Sequence, residues 1–274
     1  MKSSQVSVNQ TKVSNNLIDI LYDNFPSLII LPKVERLIDK EDPTLGELVT
    51  LCQSNDTLFE KLTHSTGGES KNISEFAKSI LLSKGMNYLL GTCIRTMNQE
   101  IFSLPLNLIE GETELSIRRR SIVLARYLKE MSKNTSLHPD HAYLCGLFYN
   151  FRMVCFEYLV KEGLILSENF EQNEKSCLLQ MSESFRGLGF HTSIWKFFSD
   201  CTLPITASDS PVLHALVQIG NRLLLESQIT GVNTFRKTSF LNDELIQITG
   251  LSLKEIVEPL KLVDKDFKGG LNRQ

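Results

Sequence analysis

Two imidazoles and a carboxylate fall within four residues at His138, Pro139, Asp140 and His141, residue types that could hold a metal ion. Proline and aspartate also suit the first turn of a helix, and the segment is read as a loop and N-cap. Cys52 and His64 could pair as nucleophile and base, yet nothing supplies an orienting third group or an oxyanion site. Arg118, Arg119 and Arg120 could meet phosphates. Successive helical residues point about 100° apart, so the three are read as a solvated face plus one inward residue. The chain has no Gly-rich phosphate loop, no dinucleotide fingerprint and no nucleophile elbow, and no cofactor is expected.

The elements that must position these groups read as helices. Of the 274 residues 42% are hydrophobic, enough to bury a sizeable core, and the formal charge of -3 favours neither nucleic acid nor an anionic membrane. Six cysteines, at 52, 93, 145, 155, 177 and 201, show no metal or disulfide spacing and are read as reduced core thiols. Met1 to Asn16 lacks an apolar run, and Leu144 to Val160 is broken by Asn150, Arg152 and Glu157. A cytoplasmic protein without a membrane span is expected.

Period-2 alternation is hard to find, whereas helix punctuation recurs. Thr44 with Glu47, Asn72 with Glu75, and Ser252 with Glu255 are capping boxes, and Gly67, Gly68, Gly85 and Gly163 suit left-handed helix ends. The spacing predicts an all-α fold with helices near 15–24, 32–40, 45–53, 56–64, 73–84, 86–100, 113–132, 140–161, 172–186, 191–200, 211–228, 241–249 and 253–263. A flexible start (1–14), an N-terminal half of short helices (15–102), a C-terminal half of longer ones (113–228), C-terminal helices (229–263) and a frayed tail (264–274) complete the division. Ser103 to Thr113 is the joint between the halves.

From Ile30 onward the chain resembles the HDOD family, degenerate relatives of the HD metal phosphohydrolases in bacterial signalling. The matching residues are Leu31-Pro32 opening a helix, Asp42-Pro43-Thr44-Leu45-Gly46-Glu47-Leu48, Ser54-Asn55-Asp56-Thr57-Leu58, the Ser65-Thr66-Gly67-Gly68 turn and the helix Ile73 to Gly85. Ala142 to Val154 is similar to the segment that carries the His-Asp pair in catalytic relatives. The resemblance spans about Ile30 to Leu225.

By that resemblance the metal-ligand positions are lost. Tyr149 and Asn150 stand for the His-Asp pair, Arg120 before Ser121 for the upstream histidine, and Asn221 for the last aspartate. Arg120 shares a helical face with Ile117, Leu124, Tyr127 and Met131, so it either fills the old metal space or snorkels at the rim of the core. His191, in Gly189-Phe190-His191, is the surviving imidazole near a family position and is read as structural.

The resemblance thus implies a non-catalytic regulatory module whose partner is a signalling protein in trans, a second copy, or a small anionic ligand on Arg120, Tyr149 and Asn150. The rival is an active HD phosphohydrolase drawing on His138, His141, His191 and His214.

Overall fold

The computed structural model describes residues 17–38, 44–53, 114–165, 170–230 and 243–271, with isolated helical positions between 60 and 95. Among these the elements are α-helices and short 3₁₀ turns, with no strand, so the fold is all-α. No described helix is long and apolar enough to cross a membrane. Apart from those isolated positions, the expected helices around 56–64, 73–84 and 86–100 lie outside what is described, as do the Asn72 cap, the Gly67, Gly68 and Gly85 ends and the Cys52–His64 pair.

The chain divides into two compact units, one of residues 1–104 with 186–190 and one of 105–185 with 191–274. In the first, α1 (17–24) leads to α2 (Pro26–Ile38) and α3 (Leu45–Gln53). Pro32 was expected to open a helix; instead α2 begins at Pro26 and Pro32 lies inside it. A proline costs no backbone bond only in a helix's first turn, but Leu28, Leu31 and Val34 form one buried stripe across Pro32, and burial outweighs one missing backbone bond. Thr44 caps α3: the Glu47 carboxylate accepts from the Thr44 amide at 3.1 Å, and the Glu47 amide donates back to Thr44 Oγ1 at 3.3 Å.

The second unit is built on α4 (Glu114–Met131), which pairs with α5 (Pro139–Tyr149) after a 3₁₀ turn at Ser132–Asn134. Gly146 makes this pairing close: a Cβ there would sit 2.8 Å from the Ala125 Cα. Then follow α6 (Phe151–Lys161), α7 (Phe170–Leu188), α8 (Thr192–Asp200), α9 (Pro211–Thr230), α10 (Asp243–Thr249) and α11 (Leu253–Leu271). Phe148, Phe185, Phe197 and Phe198 stack edge to face at 4.9–5.3 Å between α5, α7 and α8. The α4 stripe Ile117, Leu124, Tyr127 and Met131 is buried, and α9 meets it where Gly220 lies against Leu124 and Tyr127.

Two expectations need correction here. The single helix over 140–161 is two, broken at Asn150 (φ −83°, ψ −12°). The Arg152 guanidinium donates to the Tyr149 carbonyl, which the Met153 amide would otherwise take, and that amide reaches Asn150 O at 3.1 Å instead. The tail expected to fray from Asp264 is helical through Leu271, and Asp264 is only 3% exposed. Its carboxylate takes two bonds from Arg119 of α4, at 2.9 and 2.7 Å.

Candidate functional site

The three arginines point three ways. Arg118 is exposed, Arg119 holds Asp264, and Arg120 is 2% exposed with Nη2 donating to the Met153 sulfur at 3.4 Å. Gly146 lies against Ala125 while Met153, seven residues on, meets Arg120, five residues back, so the α4 and α5–α6 segments run antiparallel. That register sets Asn150 level with Ser121. Asn150 is 1% exposed, and neither its Nδ2 nor Ser121 Oγ has a hydrogen-bond partner among the described residues. The Asn221 Oδ1 is a third such atom, on α9 beside Gly220.

Tyr149 is turned elsewhere. Its ring lies 3.9 Å from the Arg152 guanidinium and 6.4 Å from Phe197. Burial pushes its hydroxyl above the ordinary tyrosine range, although Arg152 acts against this. Arg152 itself is clamped by Glu174 at 2.8 Å. Arg120, Tyr149, Asn150 and Asn221 therefore offer a fixed cation, a protonated phenol and two neutral amides, a set that does not fit a divalent ion.

His191 caps α8: its Nδ1 accepts from the Ser193 amide at 3.3 Å. It also stacks on His141 at 4.3 Å between ring centroids, and His141 lies 4.3 Å from His138. Ser193 Oγ bridges the Nδ1 atoms of His141 and His191, 2.9 Å from each. So three of the four histidines open to a metal reading do come together, His141 stacked on His191 and tilted against His138, with the Nδ1 atoms of His141 and His191 turned to Ser193 Oγ. Among the described residues no group of three His, Cys, Asp or Glu side chains is arranged to hold a metal ion.

The fourth, His214, lies apart on α9, 1% exposed, with Gln218 Nε2 3.0 Å from its Nε2. Burial lowers its pKa, with Asp200 opposing. Cys145, Cys155, Cys177 and Cys201 are free thiols; burial raises Cys155 and Cys201 and pushes Cys177 up to about 12, so none of these three is a ready nucleophile.

Ser193 and Arg152 were not legible as site residues. Thr192-Ser193 after His191 is a capping signal at best, and Arg152 looked like an interruption of an apolar run. No protein family, curated protein or solved structure matches the chain.

Proposed function

We propose that the chain is a non-catalytic, HDOD-type signal-transduction module in the cytoplasm, a helical scaffold that works by binding a signalling partner in trans or a second copy of itself. Arg120 carries this reading. By the resemblance it stands where catalytic relatives place a ligand histidine, and a guanidinium keeps its charge inside proteins. A divalent ion about 4 Å from that cation would meet a repulsion on the order of 8 kcal/mol at an effective dielectric near 20. Tyr149, Asn150 and Asn221, as neutral groups, supply no charge to offset it. Free thiols on Cys145, Cys155, Cys177 and Cys201 support a reducing compartment, and arginines fanned onto different surroundings support a partner other than nucleic acid.

A second reading, a receptor for a small anionic ligand, draws on the Arg120 guanidinium with Ser121 Oγ and Asn150 Nδ2, two buried donors with no hydrogen-bond partner among the described residues. Tyr149, faced by Arg152, drops out of it.

The test is metal content by elemental analysis after reloading with manganese, iron or zinc and desalting, followed by hydrolysis assays on a cyclic dinucleotide. The expected result is metal far below stoichiometry and no turnover. Near-stoichiometric retained metal together with hydrolysis would overturn the reading.

A further inference from the structure

Lys33 and Arg36 stand three apart on α2, so they share one face of the helix, and both are exposed while Val34 and Leu37 beside them are buried. Among the described residues neither meets a carboxylate. Arg36 is nevertheless positioned. Its Nε donates to the Pro32 carbonyl at 3.2 Å, and a Cβ on Gly189 would come within 3.2 Å of its Nη2. Gly189 has φ +85°, a left-handed conformation that glycine accepts, and so the chain passes beside the guanidinium with no side chain in the way.

These two cations line a cleft of about 740 Å³ between α2 and α3, within the first unit. Leu37 and Leu51 lie at its base. From α3 come Glu47 and Gly46, whose amide is second in the helix and has no acceptor within it. The hydroxyls of Thr44 and Thr50, which also line the cleft, are taken up by the Glu47 carboxylate at 3.0 Å and the Gly46 carbonyl at 2.9 Å. Two positive charges therefore share the cleft with one negative charge, and that carboxylate is already engaged by the capping box with Thr44.

We infer that this cleft binds a small organic anion, with a phosphate or carboxylate head held by Lys33 and Arg36. The inference is independent of the Arg120 reading and stands whether or not the signalling role does. Sites for small molecules run to about 300–1,000 Å³, so the cleft has room for a body beyond the head. With Nε tied to Pro32, Arg36 keeps Nη1 and Nη2 for two oxygens of the head, and Lys33 adds a point charge. A cationic ligand would meet two like charges. A neutral one would gain little, because Leu37 and Leu51 are only 7% and 4% exposed and have almost no apolar surface left to cover.

Fluorescence titration of the full chain at low salt with naphthyl phosphate, naphthoate and uncharged naphthol tests this. At least one of the two anions should bind saturably and naphthol should not; the tighter anion identifies the head. Lys33→Gln and Arg36→Gln should each weaken binding roughly three- to fivefold, as loss of an exposed ion pair does. Glu47→Gln should tighten it, since glutamine keeps the capping box and removes the opposing charge. A gain of affinity there is a result that misfolding does not produce. Failure of both anions to bind would overturn the inference. So would naphthol binding as tightly as they do, or an affinity unchanged by Lys33→Gln and Arg36→Gln, which would place the anion elsewhere.

Discussion

His214 shows what burial does to a titratable side chain. Gln218 Nε2 beside its Nε2 makes that nitrogen the acceptor and puts the ring proton on Nδ1, so charging the ring would set two donors against each other. Burial acts in the same direction, lowering the pKa against the pull of Asp200. Because the folded value lies below the unfolded one of about 6.5, the unfolded chain takes the proton first as the pH falls. The stability this contributes is complete above that pH and is lost as the pH drops below it. His214→Gln, which does not titrate, should therefore show a flatter acid limb below about pH 6.5. Urea unfolding at a series of pH values reads the two slopes. Parallel acid limbs in the two proteins would mean that His214 takes no part in acid destabilisation.

Between elements, Arg119 and Asp264 join α4 to α11 by two hydrogen bonds to one carboxylate oxygen, with the Asp264 side chain almost fully enclosed. Removing one partner leaves a charge in a place water hardly reaches. Asp264→Asn should cost about 2–4 kcal/mol in urea unfolding, and Arg119→Met with Asp264→Leu should recover most of it. A loss under about 0.5 kcal/mol for Asp264→Asn would show that the pair is no more than a surface bridge.

The same pair explains why part of the fold was hidden in the sequence. The Thr44–Glu47 and Ser252–Glu255 boxes and the Gly163 helix end form as expected, because each is made by residues within three or four positions. Asp264 read as the start of a frayed tail because its partner lies 145 residues away. Asn150 read as mid-helix because periodicity carries no sign of a guanidinium taking a neighbouring carbonyl. Of the candidate site, the chemistry of Arg120, Tyr149 and Asn150 could be read from residue type. Their directions could not, since Tyr149 faces Arg152 while Arg120 meets Met153.

For the whole molecule the chain path matters more than any single contact. It passes between the two units at 104–105, at 185–186 and again at 190–191. The second passage falls inside α7, whose nineteen residues, Phe170–Leu188, are continuous helix across it. Ser182, on the same helix, donates to the Trp195 carbonyl at 2.7 Å, so α7 also fixes α8. Helix propagation is cooperative, and melting the last turn of α7 with the first unit would expose the end of a helix whose body belongs to the second. The two units should therefore unfold together. Trp195 is the one tryptophan in the sequence and lies in the second unit, so its fluorescence reports that unit, whereas far-ultraviolet circular dichroism reports all the helices. The urea midpoints from the two signals should coincide, as a two-state transition requires. If the dichroism instead loses part of its amplitude before the Trp195 signal moves, the first unit melts on its own, and the turn of α7 from 186 onward is a hinge rather than a brace.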